Sequence, residues 1–203
     1  MTFTLYTNKG SGGFVVEAAL AQAAAPFTLV TVDYGNNEQN SPAYARINPM
    51  RQVPALVLPD GTLMTESAAI VMHIANAFPG KGLAPKPGTS AHAKFLRWML
   101  FMAVNLYETD LRYFYPERYT ADRSGIDGVK AAAEARLTHC FALIEAALDP
   151  WLAGEEFSIA DVYLAMLVNW WPKPAASAKL TALTARVATD PVYQPIWARY
   201  VSA

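Results

Sequence analysis

Asn48 to Ala77, NPMRQVPALVLPDGTLMTESAAIVMHIANA, is the stretch from which the rest of the chain can be read. Gln52-Val53-Pro54 sets a proline at the mouth of an apolar run. Proline has no N–H to give to a ladder, so it is tolerated as the first residue of a strand, and X-Pro is the peptide type that adopts cis at appreciable frequency. A cis Val53-Pro54 bond is therefore expected. Ala55 to Leu58 reads as a short buried strand, Pro59-Asp60-Gly61 as a turn with the Asp-Gly hairpin signal, and Thr62 to Met64 as the returning strand. Thr65-Glu66-Ser67 then opens Ala68 to Ala75 as a capped helix start.

These devices suit one kind of ligand. The N–H groups at a helix start attract a carboxylate, the Ser67 hydroxyl adds a donor, and the Glu66 carboxylate attracts an ammonium. Together they fit the head group of a free amino acid. Val53, held extended before Pro54, presents its own N–H and C=O to the backbone of a short peptide, as in strand addition. A peptide with a free α-amino-acid end satisfies both sites.

Outward from this stretch, Phe3 to Thr7 reads as a buried strand, Asn8 to Gly13 as a loop, and Phe14 to Ala24 as a helix stopped by Pro26. Phe27 to Asp33 alternates as a half-covered strand, and a polar loop leads to a short helix near Ser41 to Arg46. The order is β-α-β-α-β-β-α, that of a thioredoxin-like domain. Pro and Gly crowd Phe78 to Gly88, which marks a boundary. Beyond it all periodicity is helical: Ala91 to about Tyr115, Asp127 to Leu148, Val162 to Trp170 behind a Ser158-x-x-Asp161 cap, Leu180 to Ala188, and Val192 to Val201. The expected fold is α/β plus all-α, with a thioredoxin-like domain over 1–78, a linker over 79–88 and an all-helical domain over 89–203.

With 203 residues, 53% of them apolar, the chain has enough material for one large or two small cores. Sixteen basic against 17 acidic residues, scattered, offer no phosphate-tracking surface, so neither nucleic acid nor an anionic membrane is an expected partner. No apolar run approaches the roughly 18 residues of a membrane span, no leader is evident, and a cytoplasmic protein is expected. The single Cys140 excludes an intramolecular disulfide, and the widely spaced His73, His92 and His139 give no reason to expect a metal.

The Asn48-Pro49-x-x-Gln52-Val53-Pro54-x-Leu56 run, the hairpin, the Glu66-Ser67-x-Ala69-Ile70 helix start, Trp151-Leu152-Ala153-Gly154 and Phe157-Ser158-Ile159-Ala160-Asp161 resemble the glutathione S-transferase superfamily over nearly the whole chain. The resemblance implies a cytoplasmic, homodimeric detoxifying enzyme that joins glutathione, its co-substrate, to a small hydrophobic electrophile. Arg51, Gln52, Val53, Pro54, Glu66 and Ser67 would hold glutathione. Arg51 would reach the glycyl carboxylate or remain solvated.

Ser11 falls where theta- and zeta-like members carry their serine, and Gly12 where beta-class bacterial members carry a cysteine. The resemblance makes Ser11 the catalytic candidate, its hydroxyl stabilising a thiolate; the other reading is a helix cap. Without a loop cysteine, mixed-disulfide chemistry there is not expected. The resemblance further puts the electrophile pocket on the first helix of the second domain, with Tyr107, Tyr113 and Phe114 as candidates that otherwise serve the core. A glutathione-dependent isomerase or peroxidase and a non-catalytic regulatory protein of the same fold are the alternatives.

Overall fold

A computed structural model describes residues 2–171 and 177–201. β1 (Phe3–Thr7) alternates buried and half-buried positions, as a strand covered on one face does. It lies inside a four-stranded sheet of order β2-β1-β3-β4. β1 runs parallel to β2 (Phe27–Thr31) and antiparallel to β3 (Ala55–Val57), which in turn is antiparallel to β4 (Leu63–Met64). Parallel neighbours need a crossover, and α1 (Gly13–Ala23) supplies it. α2 (Pro42–Ile47) begins at Ser41, whose Oγ accepts the Tyr44 N–H at 3.1 Å, with Pro42 in the first turn where a missing N–H costs nothing.

The β3–β4 hairpin closes through Leu58 N–H to Thr62 C=O at 2.8 Å, and Gly61 takes the positive φ of 91° that favours glycine. α3 (Ser67–Ala77) completes the β-α-β-α-β-β-α order expected of a thioredoxin-like domain. α1 is the centre of this unit: Phe14, Val15, Val16, Ala18, Ala19 and Leu20 are each at most 1% exposed. Burying a side chain the size of Phe14 or Leu20 contributes about 1.5–3 kcal/mol. α1 packs on α3 and also on α9 (Gln194–Val201), with the Phe14 ring edge-on to Trp197 at 5.3 Å and to Tyr200 at 5.9 Å.

The chain forms two compact units, Met1–Ala84 with Arg186–Ala203, and Pro85–Ala185. The C-terminal segment therefore groups with the sheet, where the sequence reading put all of 89–203 in the helical domain. The cause is the match between the aromatic face of α9 and Phe14, a pairing of distant segments that periodicity does not encode.

The second unit starts with α4 (Ser90–Phe101), capped by Thr89 Oγ1 accepting the His92 N–H at 3.2 Å. The single long helix expected from Ala91 to Tyr115 is interrupted: Met102–Tyr107 is π-helical, with Asn105 Nδ2 donating to the Phe101 C=O at 3.1 Å, before α5 (Glu108–Phe114) resumes. α6 (Ile126–Ala147) packs against α5. α7 (Ile159–Trp170) is buried on nearly every side and begins at the expected cap. Asp161 accepts the Ser158 N–H at 2.9 Å and the Leu152 N–H at 3.0 Å, so one carboxylate holds both the helix start and the loop before it. α8 (Ala178–Thr189) follows.

Candidate functional site

Strand register brings the chemistry of the Asn48–Ala77 stretch together. Tyr6 pairs with Ala55, and Leu56 pairs with Met64. β1 ends at Thr7, β3 begins at Ala55 and β4 ends at Met64, so the residues just beyond each strand leave the sheet at the same end. The loop holding Ser11, the Val53-Pro54 step and the start of α3 thus share one end of the sheet. Arg51 and Glu66 have the positive φ angles of 56° and 64° on either side of this step. A non-glycine residue in sparsely populated backbone space costs about 1–3 kcal/mol, and such residues gather at functional sites.

Val53 is firmly seated. Its side chain packs with Val32 and Tyr44, against Tyr6 and Ile47. The Gln52 C=O accepts from Tyr44 Oη at 2.7 Å and from Asn48 Nδ2 at 2.8 Å, while Asn48 Oδ1 accepts the Met50 N–H at 3.0 Å. Burial pushes the Tyr44 phenol well above its ordinary range, so it remains a neutral donor. Among the described residues, the backbone N–H and C=O of Val53 take part in no hydrogen bond. The Val53-Pro54 bond is cis, as expected. Arg51 and Gln52 have exposed side chains, and Gln52 is tied down through its carbonyl. Tyr44 and Asn48 have no assigned part in the sequence reading. The signal for Asn48, an Asx residue opening a loop before Pro49, was present in the quoted stretch.

The start of α3 differs from the capped terminus expected. Glu66 occupies the N-cap position at φ 64°, ψ 100° and makes no side-chain cap. Its side chain is exposed. Ser67 is buried and engaged. The first intrahelical bond runs from Ile70 N–H to Glu66 C=O at 2.9 Å, so the N–H groups of Ala68 and Ala69 precede the ladder and point out of the helix end.

Ser11 is half-buried. Its hydroxyl donates to the Asn8 C=O at 2.6 Å, its oxygen accepts the Gly13 N–H at 3.2 Å, and Thr7 Oγ1 lies 3.4 Å away. Gly12 rather than Ser11 occupies the N-cap of α1, yet the Gly13 bond serves the helix start in the same way. That bond uses the Ser11 lone pair and leaves its proton to be redirected. Asn8 turns the chain with Oδ1 accepting the Lys9 N–H at 2.8 Å, and Tyr6 packs in the core against Tyr44.

In the helical unit the three pocket candidates fall in two sets of ring contacts. Tyr107 is edge-on to Trp170 at 5.1 Å, Tyr113 to Trp171 at 5.0 Å and to Phe114 at 5.2 Å, and Phe114 is largely exposed. Three positions from each of these tyrosines on the same helical stretch, Asp110 is 2% exposed, with neither carboxylate oxygen bonded among the described residues. Burial pushes its carboxyl up to about 8, so it is neutral at neutral pH. A separate cavity of about 450 Å³ between α5 and α6 is lined by Arg112, Tyr119 and Arg136 and by none of the pocket candidates.

Residues 1–76 match the profile of the glutathione S-transferase N-terminal domain, and residues 113–191 that of the C-terminal domain. The chain belongs to the glutathione S-transferase family. Glutathione S-transferase GST-4.5 of Xanthomonas campestris is 31% identical to this transferase-family chain over 183 residues, covering 89% of it and 87% of the relative. Glutathione S-transferase GstA of Escherichia coli O157:H7 is 30% identical over 169 residues, covering 82% and 81%. In the crystal structure of a glutathione transferase homologue from Sulfitobacter with bound glutathione, the likeness extends over 98% of this chain and 99% of that one, at 28% identity and a TM-score of 0.90.

Proposed function

We propose that this glutathione S-transferase family member binds glutathione at the end of the sheet and transfers its thiolate to a small apolar electrophile. The observation that carries the reading is the seated Val53, whose backbone pair is unused beside the strained Glu66 helix start. Pairing of the cysteinyl backbone with Val53 sets the thiol toward the Asn8–Gly13 loop. Glu66 meets the α-ammonium, Ser67 and the α3 N–H groups hold the adjacent carboxylate, and Arg51 and Gln52 serve the glycyl end.

Ser11 then acts on the sulfur. Rotation about its Cβ–Oγ bond moves the proton from the Asn8 C=O to the thiolate. A free thiol has a pKa of about 8.5, and each unit of lowering requires about 1.4 kcal/mol of preference for the anion. One charge-assisted hydrogen bond, about 1.5–3 kcal/mol, supplies one to two units. Tyr107, Tyr113 and Phe114 offer the apolar surface for the electrophile. On α4 and the π-helical segment after it, Leu96, Leu100 and Val104 are 38%, 56% and 63% exposed, an apolar stripe that a second copy of the chain would cover in a homodimer.

The experiment is calorimetry with glutathione on wild type, Glu66→Ala and Ser67→Ala, followed by conjugation assays against a panel of apolar electrophiles. Micromolar to millimolar binding that weakens about 10-fold or more in both variants supports the site. Equal affinity in all three proteins would place glutathione elsewhere, and binding without conjugation would make the chain a non-catalytic member.

A further inference from the structure

The hydrogen-bond chain through Ser11 continues into the protein. Thr7 Oγ1, 3.4 Å from Ser11 Oγ, lies 2.9 Å from the phenol oxygen of Tyr200 on α9. Tyr200 lies beside the carboxylate of Glu17 on α1, and each bears on the other's ionisation. One Glu17 oxygen is bound by Arg199, and the other is buried with no hydrogen-bond partner among the described residues. Thr7 and Glu17 are each 3% exposed and Tyr200 is 9% exposed.

Buried polar groups of this kind are costly unless each is bonded, and docking α9 does not require them. The rings of Trp197 and Tyr200 already grip Phe14, and Tyr193 Oη bonds Gln22 farther along. The polar path also shapes the backbone beside it. Thr7 Oγ1 lies so close to Gly13 that no side chain fits there.

We propose that Thr7 and Tyr200 are positioning residues for Ser11, through which α9 fixes the direction of the reactive hydroxyl. The inference rests on the thiolate role of Ser11. The Glu17 carboxylate beside the phenol attracts the Tyr200 proton electrostatically, with no hydrogen bond joining the two groups among the described residues. The Tyr200 oxygen then accepts from the Thr7 hydroxyl. Thr7 Oγ1 also reaches the Asn8 C=O as a long donor at 3.5 Å, and with its proton drawn to Tyr200 instead it turns only lone pairs toward Ser11 and leaves that carbonyl to the Ser11 hydroxyl. Ser11 is left with its oxygen held by the Gly13 N–H and its proton free to pass between the Asn8 C=O and a thiolate. Removing the Tyr200 hydroxyl releases the Thr7 proton toward Ser11 or Asn8, and the setting of Ser11 is lost.

The test is ultraviolet titration of the bound glutathione thiolate in the full-length protein, with KM and kcat measured at pH 6.5. Tyr200→Phe keeps the ring on Phe14 and removes one oxygen. It is expected to raise the thiol midpoint by about half to one pH unit and lower kcat several-fold, with KM for glutathione within about twofold of wild type. Thr7→Val should do the same and Thr7→Ser should not, which keeps the test readable if Tyr200→Phe folds poorly. Tyr193→Phe, which loosens the same helix away from the path, should leave the midpoint unchanged.

Ser11→Ala separates the inference from the reading beneath it. If Ser11→Ala shifts the midpoint while Tyr200→Phe and Thr7→Val titrate like wild type, α9 is only docked and the proposal is overturned. If Tyr193→Phe shifts it as far as Tyr200→Phe, loss of docking explains the effect and the proposal is again overturned. If Ser11→Ala itself is silent, the thiolate role of Ser11 fails and the proposal with it.

Discussion

Thr7 Oγ1 lies 1.7 Å from the point where a Cβ on residue 13 would stand, so the last residue of β1 and the first of α1 are fitted to each other through a glycine. Gly13→Ala cannot be relieved by swinging a long side chain away, because the Thr7 Cβ is itself 2.7 Å from that point. The start of α1 or the end of β1 must move. Urea denaturation is expected to show a loss of about 1–3 kcal/mol, the usual cost of overpacking. Thr7→Ala relieves the closer contact, so the Gly13→Ala/Thr7→Ala pair should cost less than the sum of the two single variants. Strict additivity would show that the two residues do not press on each other.

Glu66 holds φ 64° and ψ 100° without capping its own helix. Its backbone strain should be separable from its binding role. Glu66→Gly is expected to raise the melting temperature or leave it unchanged, since glycine adopts positive φ without the penalty of about 1–3 kcal/mol. The same variant should lose glutathione affinity as Glu66→Ala does. A Glu66→Gly protein less stable than Glu66→Ala would mean that the conformation is unstrained.

The hairpin and its surroundings were legible because their signals are local. Pro54, Asp60-Gly61 and the Ser158–Asp161 spacing each encode their own geometry within a few residues. The reach of Asp161 to the Leu152 N–H, by contrast, crosses nine positions of loop and is visible only in the fold. The docking of α9 on α1 depends on Phe14 meeting Trp197 and Tyr200, and nothing in the periodicity of either helix names its partner. Tyr44 and Asn48 were missed for a similar reason: both act on the Gln52 carbonyl, a backbone atom to which a sequence assigns no address. The π-helical turn at Met102–Tyr107 lies within a stretch whose apolar spacing suits an ordinary helix, so pattern alone passes over it.

Asp110 should make stability depend on pH. Its carboxyl titrates at about 8 in the folded protein and near the ordinary value of about 4 when unfolded. Between those values the folded state keeps a proton that the unfolded state has released. Stability therefore falls as pH rises through the interval, by up to about 1.4 kcal/mol per unit, and levels off above pH 8. Asp110→Asn preserves the shape without the charge. Its stability relative to wild type, from urea midpoints at pH 5, 7 and 9, should shift in favour of the variant as pH rises. A constant difference would show that Asp110 is ionised in the folded protein.

The thiolate role of Ser11 is tested most directly by the ratio of kcat/KM between wild type and Ser11→Ala from pH 6 to pH 9, with glutathione varied against a fixed electrophile. If Ser11 stabilises the thiolate, the ratio should be about 10 to 100 at the acid end, matching one to two units of pKa, and should fall toward about one at pH 9, where a thiol of pKa about 8.5 ionises without help. A ratio that stays constant across that range would contradict the account, leaving Ser11 as part of the turn into α1.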